Sequence, residues 1–225
     1  MDMIDTTRNF IFTGYSSPSI PVGTMYCIGR NYAAHAREMG AEVPSAPLVF
    51  IKPPAAYLPD GHTVTIPEIS QNMHHELEMV VIIGKDAADI PPSSALDYVA
   101  GYAVGIDFTL RDIQTIAKQK GEPWAVAKGF VGSAPISPVI PVHQLPNPND
   151  ISLELSVNGQ LRQSGNTSMM ERTVEELIAY VSTIFTLRRG DCIFTGTPEG
   201  VAQVKGGDRI TCSLGDVASL SVTIA

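Results

Sequence analysis

The sequence has few of the features that mark nucleic-acid-binding and membrane proteins. Its 225 residues include 15 Lys and Arg against 23 Asp and Glu, a net charge of −8. No basic cluster is present that would bind a phosphate backbone. The longest apolar runs, such as the segment from Met79 to Ile83, are far too short to span a bilayer. We therefore expect neither nucleic acid nor a membrane as a partner.

Cysteine and nucleotide-binding motifs are also scarce. Cys27, Cys192 and Cys212 are odd in number and widely spaced, which is typical of reduced thiols in the cytoplasm, and a role for Cys27 stays open. Neither a GxGxxG fingerprint nor a P-loop occurs, so we expect no nucleotide or organic cofactor. The segment from Met1 to Asp5 resembles neither a secretory signal nor an Arg-rich transit peptide. We predict a cytoplasmic protein.

The hydrophobic pattern predicts an α+β chain dominated by strands, without βαβ alternation. The predicted strands are residues 22–28, 48–51, 76–83, 101–108, 153–157, 161–163, 192–194, 209–213 and 220–224. The predicted helices are residues 32–39, a short one from residue 93 or 94 toward 98, residues 109–120, and one capped by residue 173 that runs to about 185. We expect residues 1–20 to be an N-terminal extension and residues 21–225 to be a single domain.

Local signals fix several of these elements. Asn31 is placed as the N-cap of the first helix. Thr173 and Glu176 form a capping-box pattern at the start of the last helix. Asn158-Gly159 is a strong hairpin signal. The proline-rich segment 133–150 is predicted to be a surface excursion with one edge strand.

The most informative stretch is HHELE, residues 74–78, which runs into an apolar strand. Strand side chains alternate between faces, so Glu76 and Glu78 share a face. Two carboxylates beside an apolar strand repel each other and lose hydration, which favours a bound cation. Carboxylate ligands suit a hard ion such as Mg²⁺, Mn²⁺ or Ca²⁺. The alternative is a strand end with two solvated acids.

Four motifs occur together in a fixed order: GRNY at residues 29–32, HHELE, GIDFTLRD at 105–112 and FTGTPEGV at 194–201. This set resembles the fumarylacetoacetate hydrolase family from about residue 26 to the C-terminus. Within the family, the chain looks most like the small acylpyruvases and fumarylpyruvate hydrolases. The resemblance implies a mixed β-sandwich roll with a few outer helices, formed by residues 21–225 as the catalytic domain, and a homodimer.

The resemblance also implies one divalent cation, Mg²⁺ or Mn²⁺, held by Glu76, Glu78 and Asp107. Three carboxylates leave the other octahedral positions to water and substrate. The alternative for Asp107 is a strand-end acid that makes turn hydrogen bonds.

The implied catalytic residues are His35, Glu38 and Lys128. His35 and Glu38 lie three apart on a predicted helix, so they share a face, and a carboxylate beside an imidazole orients the ring. By resemblance, this pair activates water; otherwise it is a solvated helix face. Lys128 would contribute charge near the cation, or else its stem packs on Trp124 while its head reaches water.

The candidate substrate-binding residues are Arg30, Arg111, Gln114 and Thr197. A guanidinium binds a carboxylate through two hydrogen bonds, and Gln114 shares a helical face with Arg111. A structural ion pair of Arg111 with Asp112 or Glu122 is equally compatible with the sequence. Thr197 lies in a Gly-rich turn, where simple turn chemistry is the alternative. The role of His74 stays open.

The predicted activity is hydrolysis of the C–C bond in a 2,4-dioxo acid, an acylpyruvate such as fumarylpyruvate or acetylpyruvate. Oxaloacetate decarboxylation and isomerisation of 2-oxo-dienoates are alternatives at the same site, and a non-catalytic binding protein is the alternative of another class. The acyl group is not fixed by the sequence. A cation at the far end of the substrate would favour a dicarboxylate. The candidates for such a cation are Arg37, Lys52, Lys118 and Lys120.

Overall fold

The computed structural model describes residues 8–14 and 20–225. The prediction about a targeting segment falls on residues 1–5, outside the described part, as does most of the predicted extension. The domain division at residue 20 stays a prediction. In the described residues, no helix is long and apolar enough to cross a membrane.

Strands outnumber helices, as the sequence pattern predicts. The strands are β1 (Asn9–Phe10), β2 (Ile20–Pro21), β3 (Met25–Gly29), β4 (Leu48–Lys52), β5 (Tyr57–Pro59), β6 (Thr63–Val64), β7 (Met73–His75), β8 (Leu77–Ile83), β9 (Val99–Ile106), β10 (Thr109–Leu110), β11 (Ala134–Ile136), β12 (Ile140–Pro141), β13 (Ser152–Val157), β14 (Gln160–Asn166), β15 (Cys192–Phe194), β16 (Ala202–Gln203), β17 (Arg209–Leu214) and β18 (Ala218–Ile224). The α-helices are α1 (Ala33–Glu38), α2 (Arg111–Lys120), α3 (Ala125–Lys128) and α4 (Val174–Ile184). Short 3₁₀ helices cover Pro54–Ala56, Pro92–Tyr98, Val142–Gln144 and Thr167–Met169.

Two large mixed sheets form the body of the fold. The first has eight strands, in the order β4-β3-β15-β8-β9-β11-β5 with β12 beside β9. The second has five, in the order β14-β13-β17-β18-β6. Parallel pairs such as β15 with β3 stand among antiparallel ones such as β8 with β9. This arrangement confirms the predicted mixed, strand-dominated roll.

Strand β8 runs through the centre of the core and is buried on both faces. Leu77, Met79 and Val81 face the main core cluster, which includes residues of both sheets. Val80 and Ile82 face a second cluster. A strand that is buried on both faces has apolar residues at nearly every position. The apolar run from Met79 to Ile83 therefore predicts this strand clearly. The same burial removes water from Glu78 on this strand.

The local signals gave mixed results. The capping box of Thr173 and Glu176 is present, and Asn158 and Gly159 adopt the positive φ angles that a tight hairpin requires. The assignment of Asn31 as a helix N-cap is wrong, because Tyr32 takes that position and Asn31 bonds elsewhere. Helix α2 starts at residue 111 rather than 109, since Thr109 and Leu110 pair with β7.

The first part of the segment 133–150 is not a surface excursion, whereas residues 143, 144, 146, 147 and 150 are exposed as predicted. Ala134–Ile136 and Ile140–Pro141 are buried strands of the first sheet, and both pair with β9. Their prolines are compatible with a sheet because strands this short form few ladder hydrogen bonds. Proline content therefore misled the prediction.

Candidate active site

Three carboxylates meet in one cleft. Glu76 lies in a one-residue break between β7 and β8, Glu78 lies on β8, and Asp107 directly follows β9. The predicted continuous strand is therefore interrupted at Glu76. Asp107 N–H donates to the Glu76 carbonyl at 2.8 Å, which fixes the two backbones beside each other. One carboxylate oxygen of each residue lies within 4.8 Å of the other two, and all three residues are buried.

Two cations compensate part of this negative charge. Lys128 Nζ lies 2.7 Å from Glu76 Oε2 and 2.5 Å from Asp107 Oδ2, while Arg111 Nη2 donates to Glu76 Oε1. Burial alone would raise the pKa of Glu76, but Lys128 and Arg111 outweigh it and hold that pKa well below its usual value. The Lys128 head is buried against the carboxylates, so the alternative in which it reaches water over Trp124 is wrong.

Glu78 has the opposite electrostatic environment. Burial raises its pKa well above the usual range, and repulsion from Asp107 and Glu76 adds to that effect. Its Oε2 accepts one backbone hydrogen bond, from Gly196 N–H at 2.7 Å. Among the described residues, the cations of the cluster thus pair with Glu76 and Asp107 and none pairs with Glu78.

Helix α1 presents the predicted His–Glu pair to the same cleft. His35 is 7% exposed, and its Nδ1 lies 3.0 Å from Glu38 Oε2. The other Glu38 oxygen accepts from Gly200 N–H at 3.0 Å, which ties the helix to the turn after β15. Since Nδ1 is engaged with Glu38, His35 Nε2 is the ring atom left for chemistry. The alternative of a solvated helix face does not hold for His35.

The predicted substrate-binding residues also reach this cleft. Arg30, Arg111, Gln114 and Thr197 line it. Arg111 Nη1 donates to Gln114 Oε1 at 2.7 Å, while Arg111 Nε is a buried N–H without a hydrogen-bond partner among the described residues. The ion pair of Arg111 is therefore with Glu76, and neither Asp112 nor Glu122 is its partner. All ten predicted site residues line the cleft except Glu38, which touches it through His35.

Sequence reasoning missed the role of Lys52, which it treated as a cation for the far end of the substrate. Lys52 is fully buried, with Nζ 2.8 Å from Asp107 Oδ1. Its hydrogen bonds go to the carbonyls of Phe108, Lys128 and Ser133 and to the Ser133 hydroxyl. Lys52 thus compensates charge beneath Asp107. No local signal marks a lysine that meets its partner 55 positions away in the chain.

Gln163 was also missed. It is 1% exposed on β14, and its side-chain amide connects two segments of the site. Its Oε1 accepts from Leu77 N–H at 3.0 Å and lies 2.9 Å from His75 Nδ1. Its Nε2 donates to Thr197 Oγ1 and to the Pro198 carbonyl, both at 2.8 Å. The backbone donor and the backbone acceptor fix the amide orientation, so the Thr197 hydroxyl accepts from Gln163 and donates its own proton to the Pro198 carbonyl at 3.3 Å.

His74, whose role the sequence left open, is not one of the residues that line the cleft. Its Nε2 bonds to Asn72 Oδ1 at 2.9 Å, and burial together with the Arg111 charge lowers its pKa to about 4. Cys27 is a buried thiol on β3. Burial raises its pKa well above the usual value.

The residues present fit a divalent cation. Asp107 Oδ1 is buried and no hydrogen bond from the described residues is aligned on it, although Lys52 is near. Glu78 forms no ion pair with a cation of the described residues. Carboxylate oxygens are the ligands that Mg²⁺ and Mn²⁺ prefer. Glu76, Glu78 and Asp107 could therefore hold such an ion.

Comparison with known proteins agrees with this geometry. Residues 24–225 match the family model described as the fumarylacetoacetate (FAA) hydrolase C-terminal domain. The structure of fumarylpyruvate hydrolase from Pseudomonas aeruginosa in complex with Mn²⁺ and pyruvate is 39% identical, with a TM-score of 0.94 over 99% of this chain and 97% of that one.

Curated relatives point to related chemistry. Oxaloacetate tautomerase FAHD1 of Bos taurus, described as mitochondrial, is 46% identical over 88% of this chain and 90% of its own length. A mitochondrial oxaloacetate decarboxylase of Dictyostelium discoideum is 48% identical over 83% of this chain and 86% of its own. The match to the family model and these identities show that the chain belongs to the fumarylacetoacetate hydrolase family.

Proposed function

We propose that this protein is a Mg²⁺- or Mn²⁺-dependent hydrolase that cleaves the C–C bond of acylpyruvates, R–CO–CH₂–CO–COO⁻, to give a carboxylic acid and pyruvate. The observation that carries the proposal is the His35–Glu38 pair in the same cleft as the carboxylate cluster. One cleft thus offers a base for water and a place for the cation. The Mn²⁺ and pyruvate bound by the Pseudomonas aeruginosa relative support this assignment.

Glu76, Glu78 and Asp107 would hold the cation. When bound, it would supply Lewis acidity toward the carboxylate and keto oxygens of a 2-oxo acid. Lys128 and Lys52 hold Asp107 from two sides, and Arg111 holds Glu76, so the carboxylates are kept in place. Positioned charges of this kind need no reorganisation during the reaction.

The chain's own residues then account for each step. His35, oriented by Glu38, takes a proton from water at Nε2, and the water oxygen adds to the 4-carbonyl carbon. The bond between C3 and C4 breaks, and its electron pair forms the enolate of pyruvate. The Lys128 ammonium lies beside the cluster where this negative charge develops. The proton on His35 returns to C3, which completes pyruvate.

The substrate carboxylate would contact Thr197 and Arg111. The Thr197 hydroxyl accepts from Gln163 and could turn its proton from the Pro198 carbonyl, 3.3 Å away, toward the substrate. Arg111 itself lines the cleft, and its buried Nε–H has no hydrogen-bond partner among the described residues. Gln114 would keep Arg111 aligned through its 2.7 Å hydrogen bond.

The experiment is steady-state kinetics of His35→Ala with His143→Ala as its control. His143 is exposed and lies outside the cleft. Loss of a general base lowers kcat by about 10²–10⁴, so we expect that loss for His35→Ala, with Mn²⁺ binding retained. His143→Ala should behave as the unaltered protein. Full activity of His35→Ala would rule out the water-activating pair.

Oxaloacetate is a second candidate substrate, favoured by the relatives described as oxaloacetate tautomerases and decarboxylases. A tautomerase would use His35 to move a proton at C3 without adding water. The decay of enol-oxaloacetate absorbance and the release of CO₂ measure these two reactions separately. A rate with oxaloacetate above that with any acylpyruvate would favour this second function.

Two further predictions stay proposals. We propose a homodimer, and the apolar residues of edge strand β4, such as Ile51 at 44% exposure, are compatible with a partner surface. We also retain a cytoplasmic location as a proposal, although the animal and plant relatives are described as mitochondrial.

A further inference from the structure

The β15 turn, residues 197–200, follows a strand of the first sheet but lies against β14 of the second. Gln163 makes this contact from a buried position on β14, where its Nε2 donates to Thr197 Oγ1 and to the Pro198 carbonyl, both at 2.8 Å. Its Oε1 accepts from Leu77 N–H at 3.0 Å. Leu77 lies in the sequence between two carboxylates of the cluster. One amide thus ties the β15 turn to the segment that carries those carboxylates.

Two glycines let the β15 turn approach β14 closely. A Cβ added to Gly200 would collide with the carbonyl oxygen of Arg162. A Cβ added to Gly165 would lie 2.9 Å from the Cβ of Pro198, which is also too close. Both contacts flank Gln163 on β14, so the turn touches this strand at three neighbouring positions. The position of the turn therefore depends on the second sheet as well as on β15.

The β15 turn in its position holds the His35–Glu38 pair. Gly200 N–H donates to Glu38 Oε1 at 3.0 Å, while Glu38 Oε2 lies 3.0 Å from His35 Nδ1. Helix α1 has six residues and ends at Glu38, and a helix this short has little stability of its own. A displacement of the turn would therefore move Glu38 and, through it, the His35 ring. The same displacement would move the Thr197 hydroxyl.

We propose that Gln163 is a positioning residue: by holding the β15 turn on β14, it sets the orientation of the His35 ring and of the Thr197 hydroxyl together. This inference rests on the proposed function, in which His35 takes the proton from water and Thr197 contacts the substrate carboxylate. The residues that line the cleft do not include Gln163, so it acts through the turn. A displacement of about 1 Å in a reacting group lowers a rate by about 10²-fold.

The test compares the kinetics of Gln163→Leu and Leu220→Ala. Leu220 is buried on β18, and two strands separate β18 from β14 in the second sheet. Its truncation leaves a cavity that lowers stability without a contact to the β15 turn. With Mn²⁺ and an acylpyruvate, at a temperature at which both variants are folded, Gln163→Leu should lower kcat by about 10²-fold and raise KM. Leu220→Ala should keep both constants.

Mn²⁺ affinity, measured by calorimetry, distinguishes positioning of the turn from damage to the carboxylate cluster. Gln163→Leu should retain Mn²⁺ binding, because Lys128 and Arg111 hold Glu76 independently of Gln163. Loss of Mn²⁺ binding would overturn the proposal, since Gln163 would then act on the carboxylates. Equal loss of kcat in Gln163→Leu and Leu220→Ala would also overturn it, as would unchanged kinetics of Gln163→Leu.

A second variant displaces the turn and leaves the amide in place. The Cβ of Gly200→Ala would push the β15 turn away from the Arg162 carbonyl. Gly207→Ala is the matched control, because the φ of Gly207 is 92° against 94° for Gly200, while no atom lies within 4 Å of its added Cβ. Gly200→Ala should lower kcat and raise KM with Mn²⁺ binding retained, and Gly207→Ala should change neither constant. Unchanged kinetics of Gly200→Ala would contradict the proposal.

Pyruvate binding separates this inference from the proposed function. Calorimetry with the Mn²⁺-loaded protein measures this affinity without turnover, and a hydrogen bond to a charged group contributes about tenfold. Gln163→Leu should therefore weaken pyruvate binding by about that factor. If no acylpyruvate is cleaved but Gln163→Leu weakens pyruvate binding, the hydrolase assignment fails and the positioning of Thr197 stands. If an acylpyruvate is cleaved and Gln163→Leu matches the unaltered protein in turnover and pyruvate affinity, the hydrolase stands and the positioning role fails.

Discussion

Replacing Gln163 with leucine tests how the second sheet supports the site. The side chain is buried, and its amide makes hydrogen bonds with four groups, as described above. Leucine has a similar volume, so packing changes little while every one of those hydrogen bonds is lost. The His75 ring and the Thr197 hydroxyl can turn toward other partners. The Leu77 N–H and the Pro198 carbonyl belong to the backbone and cannot.

The expected cost follows from those two backbone groups. A buried polar group left without a partner costs about 1–3 kcal/mol. Two of them predict that Gln163→Leu lowers the free energy of unfolding by about 2–6 kcal/mol.

The assay is urea-induced unfolding at a fixed protein concentration, with the slope of the transition compared between variants. Gln119→Leu is the control, since Gln119 is exposed on helix α2 and should change stability by no more than about 0.5 kcal/mol. A loss below about 1 kcal/mol for Gln163→Leu would refute the reasoning, because one unpaired backbone group alone should exceed it.

Three further predictions concern metal, thiols and assembly. Mn²⁺ at about 100 times its Kd should stabilise the protein by about 2.7 kcal/mol. In a thermal unfolding assay, Glu76→Ala should abolish this stabilisation. The control variant Glu154→Ala, at an exposed position, should keep it. Burial raises the pKa of Cys27, Cys192 and Cys212, so these thiols stay protonated at pH 8 and should react with Ellman's reagent only after unfolding; fast reaction of the native protein would contradict this. Light scattering should give twice the chain mass of 24.1 kDa, and a monomer mass would exclude the homodimer.

Fold features with a local cause could be read from the sequence. The capping box at Thr173 and the hairpin at Asn158-Gly159 depend on neighbouring residues alone, and both are present. The buried run of β8 was equally clear. The strands of the segment 133–150 could not be predicted from the sequence, because these short strands exist only through pairing with β9 and β5, which are distant in the chain. Asn31 had an N-cap's identity but uses its side chain in contacts with residues 172 and 195.

The residues of the site also fall into those that a local motif predicts and those that only distant contacts explain. The spacing of Glu76 and Glu78 and the motifs around His35 and Asp107 predicted residues that the structure brings together. The supporting residues Lys52 and Gln163 act through partners that are far away in sequence, so no motif identifies them. The residue type of Lys52 was also misleading, because a lysine suggests an exposed cation and Lys52 is fully buried.

The central claim is that a cation held by Glu76, Glu78 and Asp107 and water activated by His35 together cleave an acylpyruvate. The most direct measurement is pyruvate release from fumarylpyruvate, acetylpyruvate and oxaloacetate, each with Mg²⁺, with Mn²⁺ and with EDTA. We predict metal-dependent release from an acylpyruvate at a rate well above that from oxaloacetate, and none in EDTA. Turnover confined to oxaloacetate, or an undiminished rate in EDTA, would contradict the account.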